Sequence, residues 1–286
     1  MKEGIQRVQE AMERQGYVTD RAVATSVHLS ATLGKPLLVE GHPGVGKTEI
    51  AKVLAAVQGA DLIRLQCYEG LDATTALYEW NYPKQLLHIR LHEAQGGTRE
   101  EDIFSERFLL RRPLLQALTH DGPAPVLLID EVDRADEEFE AFLLEVLADS
   151  QVTIPELGTL RAKFPPRAVL TSNAARELSD ALKRRCLHLH IDFPDREREL
   201  RIVRTRAPDV PAALASQVVS AVERIRRIEL KKPPSISETL DWARSLVLLN
   251  AEALSPELVA ATLNVLLKHT TDVEKVRTQL GQIATP

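Results

Sequence analysis

A parallel-sheet α/β fold followed by an all-helical domain is what this sequence predicts, and three observations carry it. Short apolar runs ending in turn residues alternate with helix-period segments between residues 36 and 192. A glycine-rich loop, GHPGVGKT at 41–48, closes the first of these runs and leads directly into a helical stretch. Past FPD at 193–195 the strand-like runs stop and only helical patterning remains.

Taken in order, two helices are expected at the start, over 2–14 and 20–33, the second with Val23, Val27 and Ser30 at helical spacing after an Asp20 cap. Gly34 breaks it. PLLVE at 36–40 reads as a buried strand, with Pro36 tolerable at a first strand position. A helix follows over 47–57. DLIRLQ at 61–66, VLLID at 126–130, AVLTSN at 168–173 and CLHLHID at 186–192 continue the strands, with helical segments between them. Two segments interrupt the rhythm. Residues 67–103, with Tyr78, Trp80 and Tyr82 and a helical stretch around KQLLHIRLHEA, exceed what a crossover requires and read as an insertion. QVTIPELGTLRA at 151–162 reads as a hairpin turning at Gly158. The tail is expected to hold helices near 211–228, 236–250, 255–268 and 271–281. The domains are therefore 1–194 and 195–286.

Composition narrows the class. The chain has 286 residues, 44% of them hydrophobic, enough for one sizeable core and a smaller second one. No run approaches the roughly 18 apolar residues of a membrane span, and the start MKEGIQRVQE is charged where a signal peptide is apolar, so a soluble cytoplasmic protein is expected. Cys67 and Cys186 lie far apart and form neither a disulfide framework nor a CxxC pair. Net charge is −5 overall; residues 1–194 carry 22 basic against 29 acidic side chains and 195–286 carry 14 against 12. Neither half resembles a clamp that holds nucleic acid by broad phosphate neutralisation.

The residues with chemistry to offer cluster at strand ends. GHPGVGKT fits GxxxxGK[ST] between a strand and a helix, the setting in which the backbone of Gly41, His42, Pro43, Gly44, Val45 and Gly46 can wrap phosphates at a helix N-terminus. Lys47 then reaches the outer phosphates of ATP, and Thr48 offers a hydroxyl to magnesium. In VLLIDE at 126–131, Asp130 is placed to hold magnesium through water and Glu131 to polarise an attacking water. A strand followed by two acids is otherwise an ordinary helix cap; the loop at 41–48 gives it meaning. Asn173 ends AVLTSN on the same sheet edge and could orient that water, although a turn asparagine is the plainer reading of it alone. ALKRRC at 181–186 puts Lys183, Arg184 and Arg185 at a helix end, either as a solvated basic terminus or as an arginine finger for a neighbouring subunit. His88 with His92, and His188 with His190, share faces but lack a third ligand.

These residues resemble the MoxR group of AAA+ ATPases, most closely its CoxD-like branch. GHPGVGKTEIAK, LQCYEGLD, YEWNYPKQLLHIR, FLLRRPLLQAL, LIDEVDRADEEFEAFLLE, VTIPELGTLRA, TSN, ALKRRC and SISETLDWAR all look like that branch. The resemblance implies a P-loop αβα nucleotide-binding domain with a C-terminal helical lid, assembled as a homo-hexamer with ATP between subunits. It makes Asn173 the first sensor and Arg185 the finger, with Arg184 beside it. It makes 67–95 a helix-2 insertion and 151–162 a pre-sensor hairpin, facing the pore or one face of the ring. A second-sensor arginine has no counterpart in KPPSISETLDWARS, where Ile236 and Ser237 stand in the expected stretch and Arg244 lies two turns on. The implied role is a chaperone that, with a von Willebrand factor A domain partner, activates a client metalloenzyme, here a molybdenum enzyme of the carbon monoxide dehydrogenase type. A nucleic-acid motor or loader shares the same core and is the alternative; a small-molecule kinase fits the helical tail less well.

Overall fold

The computed structural model describes residues 2–92 and 100–283; the part of the expected insertion at 93–99 lies outside the described residues. The strands are β1 (Leu37–Gly41), β2 (Leu62–Gln66), β3 (Tyr78–Trp80), β4 (Leu109–Arg111), β5 (Val126–Asp130), β6 (Gln151–Ile154), β7 (Gly158–Arg161), β8 (Arg167–Ser172) and β9 (Leu187–Ile191). Five of them form the main sheet in the order β2-β5-β8-β1-β9. The pairs β2–β5, β5–β8 and β8–β1 are parallel. Each connection therefore has to cross over, and helices supply the crossings. β5 is buried at every position, which is why its sequence is apolar without alternation until Asp130.

The chain groups into two compact units. One comprises Met1–Val8, Arg21–Glu40 and Thr48–His190; the other comprises Gln9–Asp20, Gly41–Lys47 and Ile191–Pro286. The first is built on the sheet, with Leu38, Leu127, Ile129, Leu170, Phe139 and Leu143 in its core. The second is centred on a helical core of Val218, Val222, Trp242, Leu246 and Leu263. Trp242 is fully buried there, and its indole N–H donates to Thr262 Oγ1 at 2.8 Å, so the burial leaves no orphan donor.

Several elements differ from the sequence expectation for local reasons. A helix at Arg196–Arg206 was not expected, because RERELRIVRTR has little apolar periodicity. Its start is fixed by Asp195, whose carboxylate accepts the Arg198 N–H at 2.8 Å. The last expected helix is two, Thr270–Arg277 and Leu280–Ile283. β3 pairs antiparallel with β4, whose residues lie beyond 103. In the β6–β7 hairpin Gly158 pairs with Ile154 as the first residue of β7, so the turn itself is 155–157.

Candidate functional site

The loop at 41–47 is held by contacts that only glycine permits at two of its positions. A Cβ on Gly41, at φ +152, would lie 2.1 Å from the Ile191 carbonyl oxygen, and one on Gly44, at φ +75, would lie 2.2 Å from Ser235 Oγ. Lys47 is 6% exposed, and its ammonium donates to the carbonyls of Gly41 at 2.7 Å and His42 at 2.8 Å, so the loop curls around its own cation. His42 stacks on Phe193 at 4.8 Å, and the Arg226 guanidinium lies 4.6 Å from the same Phe193 ring. Arg226 in turn makes a two-pronged pair with the buried Glu199 at 2.5 and 2.9 Å.

Ser235, the residue against Gly44, caps the helix Ile236–Leu248 with Glu238 in a reciprocal capping box. Arg244 donates to the Arg206 carbonyl at 2.8 Å, which accounts for it as a tether within the helical unit.

At the edge of the sheet, Asp130 is 3% exposed and fully engaged. Its Oδ1 accepts from Thr48 Oγ1 at 3.0 Å and from Thr171 Oγ1 at 2.6 Å, while Oδ2 pairs with Arg64 at 2.5 Å. Thr48 and Asp130 together are hard oxygen donors of the kind magnesium prefers. Glu131 sits in the left-handed region at φ 55, an uncommon conformation for a non-glycine residue and a form of strain that collects at functional sites. Its N–H donates to Thr171 Oγ1 at 2.9 Å, and its carboxylate pairs with Arg134 Nε at 2.9 Å.

Asn173 lies one residue past β8, and its N–H donates to Asp133 Oδ2 at 3.1 Å. Arg185 ends the helix Asp180–Arg185, exposed, with Nη1 3.5 Å from the Ala181 carbonyl; Arg184 beside it is exposed as well. Thr48, Asp130 and Glu131 thus belong to one hydrogen-bonded cluster through Thr171, Asn173 is held by Asp133, and Arg185 stands on a separate helix end. Arg64, Thr171, Asp133, Arg134 and Phe193 were not singled out from sequence. Of these, Asp133 and Arg134, inside the IDEVDR stretch, and Thr171, inside TSN, lie in motifs that carry the resemblance.

The remaining candidates resolve simply. His188 pairs with Glu40 at 2.5 Å, and His88 and His92 pack ring to ring at 4.1 Å. Among the described residues no group of three or more His, Cys, Asp or Glu side chains could hold a metal ion. Both cysteines are free and buried. Burial, then the charges of Asp130, Asp133 and Glu131, push the Cys67 thiol up to about 12. Burial pushes Cys186 up to about 12 as well, against a small opposing pull from Lys35.

A glycine-rich loop between a strand and a helix, together with an Asp-Glu pair closing a strand of a parallel sheet, is the signature of P-loop nucleotide hydrolases. Residues 36–186, more than half the chain, match the AAA domain (dynein-related subfamily), and the chain belongs to that family; it is an ATPase, splitting ATP with water into ADP and phosphate. The denitrification regulatory protein NirQ of Stutzerimonas stutzeri is 27% identical over 215 residues, which cover 72% of this chain and 69% of that protein. The gas vesicle ATPase GvpN of Haloferax mediterranei is 27% identical over 227 residues, covering 75% of this chain and 64% of GvpN. The chain thus spans about two thirds of the length of these curated relatives. In fold, it is similar to the RuvB Holliday junction branch migration motor of Thermotoga maritima, with a TM-score of 0.50 at 18% identity over 90% of this chain and 69% of that one. Among the described residues no helix is long and apolar enough to cross a membrane.

Proposed function

We propose that this chain is a MoxR-type AAA+ ATPase of the CoxD-like branch, with a nucleotide domain at 1–194 and a helical lid at 195–286. It works in the cytoplasm as a homo-hexameric ring that remodels or activates a client metalloenzyme together with a von Willebrand factor A domain partner. The observation that carries the chemical half is the convergence of the Thr48 and Thr171 hydroxyls on one oxygen of the buried Asp130, at 3.0 and 2.6 Å, with Glu131 next in the chain. The backbone of 41–48 binds the phosphates of ATP, and Lys47 neutralises the outer ones. Thr48 and, through water, Asp130 would hold magnesium, which would supply positive charge to offset that of the phosphates. Glu131 polarises the attacking water, Asn173 orients it, and Arg185 reaches the neighbouring subunit's nucleotide.

The client half is supported by kinship. NirQ is named for regulating denitrification and GvpN as a gas vesicle ATPase; neither is named for a nucleic acid. The fold likeness to RuvB is compatible with a nucleic-acid motor, but a net charge of −5 opposes one. The exposed hairpin tip at 156–159 is where we place contact with the client.

A pull-down with the Glu131→Gln protein held in its ATP state tests the reading. It should retain a von Willebrand factor A domain protein and a molybdenum enzyme. Recovery of neither, with ATPase activity stimulated by DNA and that stimulation lost at high salt, would replace the chaperone with the motor.

A further inference from the structure

The segment from Asn173 to Arg185 joins two ends of the proposed chemistry, and two buried carboxylates pin it. Asp133, 3% exposed, holds its start: Oδ2 accepts the N–H groups of Asn173 at 3.1 Å and Ala175 at 2.9 Å. Ala174 between them is forced to φ 56. Glu140, 1% exposed on the helix Glu137–Asp149, holds its middle. Its Oε2 accepts the Ser179 N–H at 2.9 Å, and its Oε1 is ion-paired with Arg176. Arg176 reaches on to the Ala135 carbonyl, its Nε donating at 2.9 Å, and so ties the segment back to the turn that follows Glu131. Ser179 then caps the helix Asp180–Arg185, accepting the Leu182 N–H at 3.3 Å, and Leu182 is buried without residue while Arg184 and Arg185 face outward.

A carboxylate so deeply buried survives only with strong donors around it, and it gives up those donors reluctantly. Glu140 is therefore a fixed point from which the finger helix is hung.

We propose that Glu140 is a positioning residue for Arg185: through Ser179 and Arg176 it sets where the arginine is presented and ties that placement to the Asn173 loop. This rests on the ring and arginine-finger reading above. Water orientation in one subunit and the finger offered to the next then share one anchored segment, so neighbouring sites are coupled by a connection of 13 residues from Asn173 to Arg185.

Mixed rings separate the two sides of the interface. Glu131→Gln subunits cannot position water but keep their finger, whereas Arg185→Ala subunits lack the finger but keep their carboxylate; mixing them should restore hydrolysis at interfaces that pair the intact halves. Glu140→Gln is then added either to the finger donor, with Glu131→Gln, or to the acceptor, with Arg185→Ala. Displacement of a charged group by about an ångström costs on the order of 100-fold in rate, so the donor arm should fall roughly 10- to 100-fold. The acceptor arm should fall only a few-fold, with ATP affinity and ring mass unchanged in both. Equal loss in both arms, loss in the acceptor arm alone, or no loss overturns the positioning role. Absence of any recovery in the parent mixture, when mixed rings form, overturns the finger reading itself and the inference with it. If Glu140→Gln does not assemble, Arg176→Gln removes the same ion pair from its more exposed side and is read in the same two arms.

Discussion

Asp130 and Leu91 mark opposite ways of using a side chain in the sheet-based unit. Asp130 is 3% exposed and is held by Thr48, Thr171 and Arg64. Leu91 is 63% exposed, on the helix Tyr82–His92, where Tyr82, Leu86 and Leu87 are each 59% exposed. At the sheet edge, polar atoms are buried and bonded until each has one geometry. On the insertion helix, these four large side chains stand mostly in water. Rate should therefore be concentrated in the first region, and the second should be open to substitution without loss of fold.

The largest effect expected from breaking that contrast lies at Arg185. An arginine finger is worth roughly 10³- to 10⁵-fold in turnover, so Arg185→Ala should lose about that much while binding ATP nearly as well as the parent. Steady-state hydrolysis alongside fluorescent-nucleotide titration checks it. A comparable loss in Arg184→Ala with Arg185→Ala unaffected would move the finger by one residue.

Next come the carboxylate and the lysine, whose variants should fail differently. Glu131→Gln keeps the volume and removes the base, a loss of about 10²- to 10⁴-fold in hydrolysis with ATP retained. Lys47→Ala removes the cation that the loop is wrapped around, and ATP binding itself should vanish. If both variants lose binding equally, Glu131 serves the fold through Arg134 rather than the water.

How much of this could be read from the chain depends on the range of the interactions. β5 is legible to the residue because VLLID is buried at every position, and the other main-sheet strands are legible to within about one residue although β2 and β9 are only partly buried. The loop at 41–48 announces itself because its glycines and lysine act through neighbouring backbone. Arg64, by contrast, meets Asp130 from 66 positions away, and Thr171 from 41, and nothing in RLQ or LTS marks either as a partner. The helix Arg196–Arg206 is illegible in the sequence because its charges conceal a stripe in which only Val203 is fully buried among its apolar residues. The sequence puts Gly158 in the turn, but 155–157 make it, since a glycine at φ +78 can equally open a strand.

Stability gives a smaller contrast. Phe108 is 1% exposed beneath the cations of Lys84 and Arg107, so Phe108→Ala should cost about 3 to 5 kcal/mol in chemical denaturation. Leu91→Ser, on the neighbouring surface, should stay within about 0.5 kcal/mol of the parent. A Leu91 variant that loses stability on the scale of Phe108 would show that the exposed face is covered in the assembled protein.

The smallest expected effect separates the two thiols. Both Cys67 and Cys186 are pushed from 9.0 up to about 12, so at pH 8 only about one molecule in ten thousand carries either as thiolate. Neither should react with thiol reagents until the chain unfolds, and thiolate absorbance should stay flat as pH rises through 9, the range in which an unfolded chain would ionise. The causes differ, however. Burial leads at both positions, but only Cys67 also feels Asp130, Asp133 and Glu131. Removing one of those charges makes a thiolate at 67 less unfavourable, so Asp133→Asn should lower the Cys67 titration and leave Cys186 where it was. The shift stays small because burial, the larger cause, is untouched. Comparing the ultraviolet thiolate titrations of the Cys186→Ser and Cys67→Ser proteins, each with and without Asp133→Asn, reads the two sites separately. A shift of equal size at both positions would mean that Asp133→Asn loosens the unit as a whole, and that the acidic edge is less self-contained than its bonds make it.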